Sequence, residues 1–286
     1  MSFGPLISVE ALVASSRSIR LLDARPGAEV FASGHLEGAL HADLNAVLSS
    51  ARTAHFDPSK GGRHPLPDPA TWAVQLGAWG IDPETRVVAY DAASGGNSAC
   101  RLWWMLRAFG HEHVAVLDGG LQAAQAGGLG LTRAEAMPIP ARPAYPCSSW
   151  LRPTADIETV ARRLEDPAWK VLDVRARERW RGEVEQLDPV AGRIPGTVNL
   201  PYTENLRPDG RFKPPDVLRR MYLDLLDGRR PENLVVHCGS GVTACHTLVA
   251  LELAGLHGAS LYVGSYSEWC RSGKPIGRGS GQREHS

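Results

Sequence analysis

Little in this sequence points to a membrane, a nucleic acid or a metal. Nowhere does it run to about 18 consecutive apolar residues, the length a spanning helix needs. Residues 1–25 hold no basic segment leading into an unbroken apolar stretch of the kind that targets a chain for export. A cytoplasmic chain with no membrane partner is expected. Charge of one sign is not in excess either: 31 Lys and Arg face 31 Asp and Glu. Without a basic run to neutralise phosphates, no nucleic-acid partner is expected. The five cysteines, Cys100, Cys147, Cys238, Cys245 and Cys270, form no CxxC pair and have no histidine at ligand spacing. Their odd number and wide scatter exclude a disulfide framework as well as a zinc site, so neither metal nor cofactor is expected.

What is present is an ordinary globular composition, 43% hydrophobic and 22% charged, in a chain long enough for two domains at roughly 150 residues each. The chain also repeats itself. Leu21-Leu22-Asp23-Ala24-Arg25 matches Val171-Leu172-Asp173-Val174-Arg175, and the turn from Gly34 to Ala39 matches that from Gly192 to Thr197. Further on, Val87 to Asp91 matches Leu234 to Cys238, and Val114 to Gly120 matches Ala259 to Ser265, at offsets of about 145 to 158. Helical stretches ending in Gly110 and Gly255 lie between these apolar runs.

Short apolar runs alternating with helices predict buried, mostly parallel strands with helices on both faces. The expected fold is therefore α/β, two similar domains of this kind. Pro138, Pro140, Pro143, Pro146 and Pro153 break both periodicities. This sets a first domain at 1–136, a linker at 137–152, a second domain at 153–278 and a tail at 279–286, the last without any apolar pattern.

Of the five cysteines, one has a setting that favours reactivity. The segment Leu234-Val235-Val236-His237-Cys238-Gly239-Ser240-Gly241-Val242-Thr243-Ala244 runs from a buried strand through a glycine-rich turn into a helix. Cys238 then stands at the carboxyl end of the strand, where ligands bind in open α/β sheets and loop N–H groups converge on anions. A thiolate is such an anion. The helix N-terminus favours its charge by roughly 0.3–1 kcal/mol when exposed and up to about 2 when partly buried. Gly239 and Gly241 are expected to supply the positive φ values of a tight cradle. The bland alternative is a structural thiol in a βα turn.

The run from Cys238 to Ala244 resembles the active-site loop of mercaptopyruvate sulfurtransferases in the rhodanese superfamily. Tyr90-Asp91-Ala92, the stretch Trp103 to Gly110, Leu117 to Leu121, Arg193 to Pro201 and Ser267-Glu268-Trp269 are similar to the signatures of tandem rhodanese proteins. The resemblance implies two rhodanese-like domains of which the second is catalytic, since Asp91 replaces a cysteine in the first. It implies transfer of sulfane sulfur from a small anionic donor, 3-mercaptopyruvate or thiosulfate, through a Cys238 persulfide to a thiol or cyanide.

It further implies Ser240 beside the cysteine, a loop of Gly239, Gly241, Val242 and Thr243 around the donor, and Arg179 as a donor-binding arginine. His64 resembles the histidine of a serine, histidine and aspartate set, whose aspartate position holds Asn45, with Asp43 two residues earlier. The family's second donor-binding arginine is missing from 183–192. The loop also lacks the two basic residues of thiosulfate-preferring members, and the donor stays open.

Arg175, Arg177 and Arg181 are read as a solvated face or structural pairs. A cysteine phosphatase is disfavoured because position 244, where its C-x5-R arginine would stand, is Ala. A rhodanese module that binds partners without turnover is the non-enzyme alternative. Cys100 and Cys245 are expected to face packing, while any of the other four thiols could resolve a persulfide.

Overall fold

A computed structural model describes residues 3–15, 19–135 and 138–280. It divides into two compact units. The first is built from Met1–Arg52, Leu66–Arg152 and Pro208–Phe212, the second from Thr53–Pro65, Pro153–Arg207 and Lys213–Ser286. Each half of the chain thus contributes a short segment to the unit of the other. Of the expected tail, residues 281–286 lie outside the described residues.

In the first unit the elements are β1 (Leu6–Ile7), α1 (Val9–Ser15), β2 (Ile19–Asp23), α2 (Ala28–Ser33), β3 (His35–Leu36), β4 (Leu40–His41), α3 (Pro69–Ala78), β5 (Arg86–Tyr90), α4 (Ala99–Ala108), β6 (Val114–Leu117), α5 (Gly120–Ala126) and β7 (Leu131–Thr132). The second unit has β8 (Thr154–Ala155), α6 (Ile157–Glu165), β9 (Lys170–Asp173), α7 (Arg177–Arg181), β10 (Val198–Asn199), α8 (Pro215–Leu226), β11 (Leu234–His237), α9 (Ala244–Leu253), β12 (Ser260–Tyr262) and α10 (Ser265–Trp269).

The five-stranded sheets have orders β1-β6-β5-β2-β4 and β8-β12-β11-β9-β10, the same topology twice, with every pairing parallel. The small β3–β7 pair, outside these sheets, is antiparallel. The expected α/β architecture with mostly parallel sheets is therefore present in both units. Registers match as well: Asp23 pairs with Tyr90 as Asp173 pairs with His237, so Asp91 and Cys238 follow equivalent strand ends.

The helices that follow these strands show why the sequence reads as apolar runs rather than amphipathic faces. Nine of the ten residues of α4 are buried, Ala99 to Leu106 and Ala108, as are eight of the ten of α9. A helix covered on all sides has no polar face to display. Both stop at glycines of positive φ, Gly110 and Gly255.

Residues 138–152, read from their prolines as a linker, pack along the first unit. The Arg142 and Tyr145 N–H groups donate to the Gly77 and Ala73 carbonyls of α3, both at 2.9 Å, and Leu151 N–H to Ala108 at 2.7 Å. Trp150 lies between Trp104 and Phe109, with ring centroids at 6.3 and 5.3 Å. Burial of such rings is worth a few kcal/mol.

The same strap covers His111, whose Nδ1 lies 3.2 Å from the Tyr145 hydroxyl. Burial pushes the His111 pKa down from 6.5 to about 4. The unfolded chain binds this proton near 6.5 and the folded one only near 4, so the contribution is complete above the upper value and is lost as pH falls between the two. The loss amounts to about 2 kcal/mol by pH 5. Thermal melts of the wild-type protein should drop a few degrees more between pH 7 and pH 5 than those of His111→Gln, and equal drops would show that His111 titrates normally.

Candidate functional site

The site is built where β11, the central strand of the second sheet, gives way to α9. Cys238 is the first residue past the strand and is 2% exposed. Its backbone is fixed from α10: Cys238 N–H donates to Ser265 Oγ at 3.1 Å, and the Cys238 and Gly239 carbonyls accept from Tyr266 and Ser267 N–H at 3.0 and 2.8 Å. Val242 and Thr243 close the turn, their carbonyls accepting from Cys245 and His246 N–H, both at 3.1 Å. Among the described residues, the N–H groups of Gly239, Ser240, Val242 and Thr243 donate to no backbone carbonyl outside helices and strands.

The expectation that both glycines supply positive φ holds for one. Gly241 has φ 72, and a Cβ there would come within 2.4 Å of the Val263 carbonyl oxygen. Gly239 is absent from the positive-φ residues, and its bare Cα serves another end. A Cβ on it would lie 3.1 Å from Arg63 Nη2 and 3.6 Å from Arg179 Nη1 and Nη2. Gly239 is the floor on which two guanidiniums converge.

The equivalent turn of the first unit displays what this local geometry holds. The buried Asp91 carboxylate accepts five backbone N–H bonds, from Ala93 and Gly95 on one oxygen at 2.8 and 2.9 Å, and from Asn97, Ser98 and Ala99 on the other at 3.1, 3.0 and 3.0 Å. The Asp91 carbonyl in turn accepts from Leu121 N–H at 2.8 Å, as that of Cys238 does from Tyr266. The βα turn of this repeat encloses a negative charge at the tip of the strand-end side chain.

His64 and Ser240 are brought together, Nδ1 lying 2.8 Å from Oγ. The contact is possible because residues 53–65 belong to the second unit. Gly61 N–H donates to Glu268 Oε1 at 2.9 Å, and at Gly62, with φ 75, a Cβ would meet the Gly264 carbonyl oxygen at 2.3 Å. Asp43 uses its carboxylate within the first unit, accepting from Asn45 and Ala46 N–H of its own turn at 2.9 and 2.8 Å and from Gly27 N–H at 2.6 Å. Burial opposes its ionisation, but these three bonds outweigh it and hold the Asp43 pKa below the usual carboxylate value.

Arg179 projects from α7 and is held by carboxylates that the sequence reading passed over. Its Nη2 donates to both oxygens of Glu185 at 2.7 and 2.9 Å and lies 3.8 Å from Asp188. Desolvation pushes the Glu185 pKa up, yet the hydrogen bond from Arg179 leaves it below the ordinary glutamate value. Asp188, whose side chain is buried, also meets Arg63 Nε at 3.3 Å and Arg271 Nη1 at 2.8 Å. The stretch 183–192 was read only for its missing arginine, although its two buried acids were the available signal.

Arg175 is a framework residue. It forks onto Asp173 with Nε at 3.1 and 3.0 Å from the two oxygens and Nη2 at 2.7 Å, and donates to the Gly192 carbonyl at 2.9 Å. Arg25 repeats this on Asp23 and the Gly34 carbonyl. Arg177 and Arg181 make looser pairs with Glu204 at 3.6 Å and Glu183 at 3.9 Å. All five cysteines are thiols; Cys100 and Cys245 are buried in α4 and α9, and burial raises the Cys270 pKa.

The rhodanese-like domain family matches residues 8–126 and 156–272. A probable 3-mercaptopyruvate sulfurtransferase of Pseudomonas aeruginosa is 44% identical over 280 residues, 94% of this chain and 96% of its own length. The human 3-mercaptopyruvate sulfurtransferase is 36% identical, covering 91% of this chain and 88% of its own. Among solved structures, 3-mercaptopyruvate sulfurtransferase from Leishmania major superposes with a TM-score of 0.81 at 27% identity, over 96% of this chain and 76% of that one. With two matched domains, one topology used twice and relatives aligned along nearly its whole length, this chain belongs to the rhodanese family.

Proposed function

We propose that this protein is a sulfurtransferase that takes the sulfur atom of 3-mercaptopyruvate and carries it as the outer sulfur of a Cys238 persulfide to a thiol or cyanide. The observation that carries the reading is the pair of equivalent turns. Where the first unit holds a carboxylate in five N–H bonds, the second presents a thiol at the same strand end, and among the described residues the N–H groups of Gly239, Ser240, Val242 and Thr243 donate to no backbone carbonyl outside helices and strands. Such a turn stabilises a thiolate, and the thiolate is the nucleophile.

In the first half-reaction the Cys238 thiolate attacks the donor sulfur, an S–S bond forms and the donor C–S bond breaks. The electron pair leaves as the enolate of pyruvate, which takes up the proton that the donor thiol gives up. Ser240 and His64, in contact at 2.8 Å, are placed to relay that proton. In the second half-reaction an acceptor such as cyanide attacks the outer sulfur, the S–S bond breaks, thiocyanate leaves and the Cys238 thiolate returns. Gly239, Gly241, Val242 and Thr243 enclose the sulfur, and Arg179 faces the donor carboxylate.

We read the setting as cytoplasmic, a compartment that would keep the five cysteines as thiols. Among the described residues, no helix is long and apolar enough to cross a membrane.

Ser265 holds the backbone beneath the thiol. It adopts φ 54, a left-handed conformation that the first unit gives to Gly120 at φ 60. Its hydroxyl both accepts from Cys238 N–H and donates to the Tyr262 carbonyl at 2.9 Å. A serine held there costs about 1–3 kcal/mol in strain. Ser265→Ala keeps the strain and loses both bonds, so it should lower stability by about 1–3 kcal/mol and depress kcat. Ser265→Gly should melt near the wild type yet share the loss of kcat; wild-type kcat in both would remove Ser265 from the site.

Incubation with 3-mercaptopyruvate should add one sulfur atom to the wild-type intact mass and none to Cys238→Ser, which should also form no thiocyanate. The wild-type kcat/KM should favour 3-mercaptopyruvate over thiosulfate. Activity in Cys238→Ser would end the persulfide assignment, and absence of wild-type turnover with either donor would favour a binding module.

A further inference from the structure

We propose that Arg63 is the second anion-holding guanidinium of this site, a specificity-determining residue that grips the donor carboxylate opposite Arg179. This rests on the proposed function. The segment 183–192, whose Glu185 and Asp188 lie against Arg179, contains no arginine. Instead a guanidinium arrives from 53–65, a segment far away in sequence that is built into the same unit.

Three features place it. Arg63 Nη2 lies 3.1 Å from the point where a Cβ on Gly239 would stand, nearer than the 3.6 Å of both Arg179 nitrogens, so the two side chains meet over one residue of the cysteine loop. Consecutive residues of the same strap then serve neighbouring loop positions, Arg63 at Gly239 and His64 at Ser240. The strap has no freedom to carry them away, because Gly61 is bonded to Glu268 and Gly62 packs backbone to backbone against Gly264.

The charge around Arg63 leaves it available. Asp188 is shared by Arg63, Arg179 and Arg271, and Glu185 by Arg175 and Arg179, so two carboxylates serve four guanidiniums, of which Arg175 has Asp173 as well. Arg63 reaches Asp188 only through Nε at 3.3 Å, in a geometry that makes no hydrogen bond. Its side chain is 21% exposed, close to the 22% of Arg179. A purely structural guanidinium in this unit looks different: Arg175 is 1% exposed and forks onto its partner at 2.7 to 3.1 Å. Two planar forks over a bare Cα suit a planar carboxylate, which an ammonium would hold as a point charge only.

The test uses the full chain in a Cys238→Ser background, which removes chemistry but not binding, with 3-mercaptopyruvate titrated by calorimetry. Arg63→Gln should weaken binding about tenfold and Arg63→Lys severalfold, with melting temperatures close to the parent. With Cys238 restored, Arg63→Gln should raise KM for 3-mercaptopyruvate while kcat stays within about twofold. A dissociation constant within about twofold of the parent in Arg63→Gln overturns the inference. So does an equal loss in both variants accompanied by lowered melting, which marks a structural partner of Asp188. Should Arg63→Gln fail to fold, Arg63→Lys decides: an unchanged constant overturns the proposal and a severalfold loss supports it. Wild-type turnover is read separately, so binding that depends on Arg63 in a protein without sulfur transfer would keep this inference and remove the proposed function.

Discussion

The backbone N–H groups that follow the central strand of each sheet need an acceptor, and the arrangement of both units follows from that need. A buried N–H left unpaired costs about 1–3 kcal/mol. In the first unit the demand is met permanently, by a carboxylate at Asp91 that accepts five such bonds. In the second unit the same strand end carries Cys238, whose side chain is shorter and whose charge depends on its protonation. Among the described residues, the N–H groups of Gly239, Ser240, Val242 and Thr243 donate to no backbone carbonyl outside helices and strands, and on the proposed function they serve the sulfur carried by Cys238.

Holding such a turn open requires support that does not use the donors themselves. The carbonyls of Cys238 and Gly239 are tied down by Tyr266 and Ser267, and the N–H of Cys238 by Ser265. From below, the Asp173–Arg175 fork at the end of β9 fixes the neighbouring strand. A buried ion pair of this kind adds little net stability, because desolvation offsets its attraction. Its presence in both units, in matching geometry on Gly34 and Gly192, shows that it sets the path of the chain after the strand rather than the chemistry.

Much of this could be read in the sequence because strand, turn and helix are local. The repeat, the parallel sheets, the position of Cys238 and its replacement by Asp91 all follow from runs of adjacent residues. The pairing of His64 with Ser240 came through a resemblance rather than a pattern, since the two are separated by 176 positions. Arg63 was invisible because its role depends on a strap that crosses from one repeat to the unit of the other, and no periodicity records such a crossing. Gly239 was read as a conformational residue when it is a steric one, because sequence cannot tell a glycine that bends from a glycine that makes room. Prolines between 138 and 153 marked irregular backbone correctly, but irregular backbone with Tyr145 and Trp150 in it can pack as tightly as a helix.

The contrast between Gly120 and Ser265 carries the argument one step further. Both residues stand at the start of the helix that caps the turn, and both have the left-handed conformation that only glycine adopts without strain. At Gly120 a Cβ would sit 2.5 Å from the Asp91 carbonyl oxygen, so glycine is required there. In the second unit the strain is tolerated and a hydroxyl is gained, aimed at the N–H of the residue that bears the thiol. Strain kept at one of two equivalent positions marks the one where a hydrogen bond is worth more than relaxation. That asymmetry separates a unit whose strand end holds a fixed carboxylate from one whose strand end, on the proposed function, takes up and releases sulfur.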